Sequence, residues 1–113
     1  MTGPIIQTDV EARLLQLADR LDTEVERFAE VSHERATQEA AHKLEYSSAI
    51  VHDIGKETVA KKEATAHLRS KDTFLAWKLA EAKEKATQQA LIAIRTQMDA
   101  LRTISANVRA MGG

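Results

Sequence analysis

From Asp72 to Met111 the chain runs for forty residues without a proline or a glycine. Nothing in such a stretch stops a helix, because the residues that remove a backbone donor or loosen the backbone are missing. Within it Leu91, Ile94, Met98, Leu101 and Val108 recur at alternating three- and four-residue steps, with Ser105 in the remaining slot. That spacing is the a/d seam of a helix that packs against another helix. A second line runs beside it: Leu75, Leu79, Ala82, Ala86, Ala90, Ala93, Ala100 and Ile104. One stripe of large residues and one rich in alanine equip this helix for two neighbours, the second at close range.

A seam needs a partner, and the preceding half of the chain supplies one. Thr8-Asp9-Val10-Glu11 reads as a capping box, with residues 1–7 as a loose leader broken by Pro4. Leu14, Ala18, Leu21, Val25 and Phe28 then step by four, three, four and three, and Leu17 and Val31 widen the face. Beyond them Ser32, His33 and Glu34 sit where apolar residues should continue. A helix continuous to about Val51 fits, as does one broken at Tyr46-Ser47-Ser48, where serines compete for backbone bonds. Gly55 is the only internal glycine between the leader and the C-terminal pair, which places a turn near residues 53–57. Thr58 is positioned to cap the next helix, and Ser70 with Asp72 offers a joint before the long one.

The expected fold is therefore all-α: a long helical hairpin of two long helices, broken into three or four if those joints are used. Residues 8–111 form one domain and residues 112–113 a tail. Arms of forty to fifty residues would be roughly 60–75 Å long at 1.5 Å per residue. Hydrophobic residues make up 43% of the chain, but many are alanine and only four residues are aromatic. A core that thin favours a homodimer, which would form a four-helix bundle or coiled-coil arrangement.

Charge is unevenly spread. Between Asp9 and Glu39 nine acids face four arginines, whereas the rest of the chain is mildly basic. Asp19, Asp22, Glu26, Glu30 and Glu34 mark an acidic helix face suited to binding a protein, and able to imitate nucleic acid in a basic groove. Lys56, Lys61, Lys62, Arg69 and Lys71 are the densest basic group and offer a nucleic-acid contact instead. Glu57, Glu63 and Asp72 interleave with them, so an ordinary solvated face with i,i+4 pairs is the competing reading. Phe74 and Trp77, three residues apart, share a face and are expected in the core or a dimer contact, together with the Leu91–Val108 seam.

Little in the sequence points to catalysis. The chain has no cysteine, no glycine-rich phosphate loop and no serine in a nucleophile-elbow setting. His52-Asp53 resembles half of a phosphohydrolase metal pair, but His33, His42 and His67 lack the i,i+4 partners a metal needs, and His52 suits a helix C-terminus. The expectation is a non-enzymatic protein with no cofactor or metal. No apolar run is long enough to span a membrane and the leader lacks the pattern of a secretory signal, which points to the cytoplasm.

Two segments carry a family resemblance: GKETVAKKEA, residues 55–64, and LAEAKEKATQQALIAIRTQMDALR, residues 79–102. A short A-x-V-A-K-like segment at a Gly-acid turn, followed by a long Ala/Lys/Glu helix, resembles small helical accessory proteins from early and recombination gene clusters of tailed phages. The resemblance covers about half the chain. It implies an accessory or inhibitor role in a host cytoplasm, with no functional residue attached. Three roles stay open: binding a protein of the DNA-processing or defence machinery, binding DNA directly through the Lys56–Lys85 region, and serving as a structural scaffold.

Overall fold

The structure, a computed structural model, describes residues 7–52 and 58–112. It is all-α: α1 spans Gln7–His52, α2 spans Val59–Arg69 and α3 spans Lys71–Gly112. The chain is a long helical hairpin with a short helix leading into its second arm. The expected turn at residues 53–57, with Gly55, lies outside the described residues.

Alanine, glutamate, lysine, leucine, arginine and glutamine lose little side-chain freedom in a helix, and their abundance sustains α1 for 46 residues. Tyr46-Ser47-Ser48 does not break it. Thr8 is already helical, and Glu11 accepts from Gln7 Nε2 at 3.1 Å rather than reaching back to a cap. The capping box read from the sequence is therefore not formed. Thr58 does cap α2: its backbone is extended and its hydroxyl accepts from Lys61 N at 3.3 Å.

The joint between α2 and α3 is Ser70, which is fully buried. Its φ of −102° and ψ of 14° leave the helical region. Both its N–H (3.0 Å) and its hydroxyl (2.6 Å) donate to the Ala66 carbonyl. Its own carbonyl accepts from Phe74 N at 2.9 Å, in the first turn of α3. One small side chain thus satisfies the end of one helix while its backbone starts the next.

Two compact units are resolved. The first combines residues 7–28 of α1 with 87–112 of α3. Here Val10, Leu14, Leu17, Leu21 and Phe28 meet Leu91, Ile94, Met98, Leu101 and Val108, each buried or half-buried. Leu17, Ile94 and Met98 form its centre, with Leu14, Ala18, Leu21 and Leu101 packed around them. The long-helix seam predicted from the sequence is thus core within a single chain. On α1 the seam is corrected by one position in places: Leu17 and Glu24 occupy it, and Ala18 and Val25 fall on its flank. Polar groups enter at Glu24, at the buried Thr87 and at the buried Ser105, which accepts from Gln7 Nε2 at 2.6 Å.

The second unit comprises residues of Ala29–Ala86. The heptad continues through Val31, Arg35, Gln38, His42, Glu45 and Ala49 on α1. It continues through Ser70, Thr73, Trp77, Ala80 and Glu84 on the other arm. All are buried or half-buried, yet most are polar. Of the alanine-rich second line, Leu75, Leu79, Ala82, Ala86, Ala93 and Ala100 face solvent within the chain, while Ala90 and Ile104 are half-buried.

Candidate functional site

The polar seam of the second unit is a connected network. Arg35 Nε lies 3.2 and 3.1 Å from the two carboxylate oxygens of Glu84, across the seam, and its Nη1 donates to Glu39 at 2.9 Å. Glu39 also accepts from Lys43 at 3.1 Å. The hydrogen bond to Glu84 raises the Arg35 pKa, against the lowering effect of burial. The hydrogen bond from Lys43 holds the Glu39 carboxyl below its usual range; burial opposes this, and Arg35 reinforces it.

A carboxyl lowered in the folded state stabilises the fold above its unfolded pKa, about 4.3, and that contribution disappears as pH falls through the folded value. Arg35 stays charged throughout acid pH and does not contribute to the slope. Melting curves between pH 3 and 6 should show wild type more stable than Glu39→Gln at pH 6, with the gap closing below about pH 4. A gap independent of pH would mean that Glu39 contributes packing, not charge.

Next to this network His42, which is buried, stacks on Trp77 at 5.4 Å with an interplanar angle of 25° and meets the edge of Phe74, also at 5.4 Å. Thr73 donates its hydroxyl proton to the Ser70 carbonyl at 2.9 Å, so the 3.3 Å approach of His42 Nδ1 assigns the imidazole hydrogen to that nitrogen. Lys78 Nζ sits 4.3 Å from the centroid of Trp77 and 5.6 Å from that of Phe74. Tyr46 extends the cluster to His67 at 5.0 Å. Phe74 and Trp77 touch at 6.1 Å, edge to face, but only Trp77 lies on the seam; Phe74 is exposed on its flank. Sequence reasoning picked out Phe74 and Trp77 but missed His42, which carries no hydrophobic signal. Its only trace was the seven-residue spacing from Phe28 through Arg35.

The acidic residues are carried as expected on the surface of α1. In the first unit Asp19, Asp22 and Glu26 are exposed, and their carboxylates have no partner among the described residues. In the second unit Glu30 is likewise exposed and unpaired, whereas Glu34 lies 3.8 Å from Lys83. Of the basic candidates, Lys61, Arg69 and Lys71 are exposed and Lys62 is half-buried; none has an ion pair among the described residues. Lys56 lies outside the described residues. Lys78 and Lys85 share the single carboxylate of Glu81, at 3.6 and 3.7 Å, which offsets only part of their charge.

Two open grooves mark the first unit. One, of about 390 Å³, is lined by Glu11, Leu14, Leu15, Ala18, Met98 and Arg102. The other, of about 270 Å³, is lined by Val25, Phe28, Gln88, Leu91, Ile92 and Arg95. Among the described residues no three His, Asp or Glu side chains stand close enough to share a metal ion, and no helix is long and apolar enough to cross a membrane. No family model, curated protein or solved structure matches the chain.

Proposed function

We propose that this hairpin is a non-enzymatic, phage-type accessory protein that works as a homodimer in the host cytoplasm. Its role is to bind a basic protein of the DNA-processing or defence machinery. The observation that carries this reading is a run of exposed carboxylates on α1 with no ion pair among the described residues. Arg35, Lys43, Lys78, Lys85 and Arg102 all find carboxylates on their own chain. Asp19, Asp22 and Glu26, on one face of one helix, find none among the described residues, and Glu30 repeats the pattern. Helical residues three or four apart stand about 5–6 Å from each other, so these carboxylates make a regular row of negative charge. A surface built to contact DNA through its phosphates would accept such a row.

The test is capture by cross-linking from host lysate, with wild type and a D19K/E26K/E30K variant side by side. Wild type should retain a DNA-binding protein that short duplex DNA displaces, and the variant should retain at least tenfold less. Equal retention by the variant, or a partner indifferent to duplex DNA, would sink the reading.

A second reading rests on Lys61, Lys62, Arg69 and Lys71, which have no ion pair among the described residues. If these four groups bind phosphates directly, affinity for an oligonucleotide should fall roughly 100-fold between 50 and 200 mM salt. K61E/K62E should then abolish binding, and the function would move to α2.

A further inference from the structure

The first unit leaves one flank of its helix pair apolar. Leu15, Ala18 and Val25 each follow a seam residue of α1, and Ile92, Arg95 and Arg102 each follow a seam residue of α3. In an antiparallel helix pair, positions that follow the seam fall on the same side of both helices. The two grooves therefore open on one face. Leu15 (70% exposed), Val25 (47%) and Ile92 (49%) line that face, and apart from the terminal Met111 they are the exposed large apolar side chains of the unit among the described residues. Scattered apolar residues on a surface need no explanation; three gathered along two adjoining grooves do.

The rims of this face differ in sign. Glu11 lines it from α1, and Asp22, at the next seam-following position after Ala18, carries the same sign. Arg102 and Arg95 line it from α3, where Asp99, which follows the seam residue Met98 and is held by Arg102, offsets part of their charge. Neither end is fully occupied by its own chain. Glu11 uses one oxygen to accept from Gln7, and Arg102 uses Nη1 to hold Asp99 at 3.1 Å, which leaves its other guanidinium nitrogens with no partner among the described residues.

We infer that this face takes a second copy of the chain, related by a two-fold axis parallel to the helices. Such an axis sets α1 of each copy against α3 of the other. Glu11 and Arg102 line the same groove and so lie at the same level. The axis therefore brings Glu11 of one copy beside Arg102 of the other, twice over, above a shared floor of Leu15, Val25 and Ile92. The result is an isologous four-helix arrangement in which the acidic rim meets the basic rim. A two-fold axis perpendicular to the helices would instead bring α1 against α1 and acid against acid. The inference rests on the dimeric part of the function proposed above, and it supplies the surface.

Sedimentation equilibrium and light scattering on the full chain test it. Wild type should have twice the 12.5 kDa chain mass. L15E/I92E should raise the dimer dissociation constant at least 100-fold with helicity unchanged, since both sites are exposed. Glu11→Arg and Arg102→Glu should each weaken self-association, because each variant sets like charges opposite each other. An equimolar mixture of the two should restore the dimer, because the heterodimer alone pairs opposite charges at both contacts. A wild type that is monomeric at 100 μM would overturn both the dimer and its surface. A dimer insensitive to L15E/I92E, or a mixture that fails to recover, would overturn this surface and leave the dimer standing on another.

Discussion

Leu17→Ala will cost the fold about 3 kcal/mol, the middle of the range for a buried leucine whose cavity cannot collapse. Leu17 is fully buried and packs against Ile94 and Met98, with half-buried Leu14, Leu21 and Leu101 around them. These side chains project from two stiff helices, so little can move inward to fill the space. For a domain of this size the melting temperature should fall by roughly 10–20 °C at fixed protein concentration. Ile94→Val removes one methylene from the same cluster and should cost only about 1 kcal/mol. Urea titrations followed by far-ultraviolet circular dichroism will measure both. A Leu17→Ala loss under about 1 kcal/mol would mean that the seam is loosely packed and that the first unit draws its stability from elsewhere.

The second large effect belongs to Trp77→Ala, at about 2–3 kcal/mol, less than for a fully buried tryptophan because the residue is only half-buried. The substitution removes three contacts together: the stack on His42, the edge contact with Phe74 and the seat of Lys78. It also strands the His42 ring beside a void on a seam that has few apolar neighbours to close it. Trp77→Phe keeps an aromatic face for His42 and Lys78 and should lose about 1 kcal/mol. Equal losses from the two substitutions would show that ring size is not what the cluster uses. The comparison is again made by urea unfolding, with dichroism as the probe because each variant lacks the single tryptophan of the chain.

How far the fold could be read from the residues differs between the two units, and the reason is physical. Hydrophobic periodicity reports a seam only where the seam is apolar. Leu91, Ile94, Met98 and Leu101 announced theirs, and Leu14, Leu21 and Phe28 announced most of its partner. Ala18 and Val25 keep the step of that partner line without occupying the seam. Leu17 takes the seam position instead, and a glutamate, Glu24, sits where the apolar pattern would put Val25. In the second unit the seam passes through Arg35, His42, Thr73 and Glu84. Those residues look like surface to any hydrophobicity count, and only their seven-residue register betrays them. The caps divide in the same way. Thr58 and Ser70 were legible because their hydroxyls bond locally, whereas the Thr8 box lost to a helix that had already begun. The acidic residues of α1 were legible as a face, but that Glu34 has a partner and Asp19, Asp22 and Glu26 have none depends on which side chains the other arm brings near.

The cross-seam pair of Arg35 and Glu84 has a consequence for how such a chain can change over time. A hairpin held by alanine and leucine alone can slide by a heptad with small loss, since one turn of that seam resembles the next. Sliding Arg35 by seven residues along α3 would take its guanidinium from Glu84 to Trp77 or Leu91, where no carboxylate waits on the seam. The pair fixes alignment at one point, and the surrounding positions are then free to drift among helix-forming residues of suitable size. Lineages of this hairpin would diverge quickly in identity while keeping one charged couple at a fixed separation.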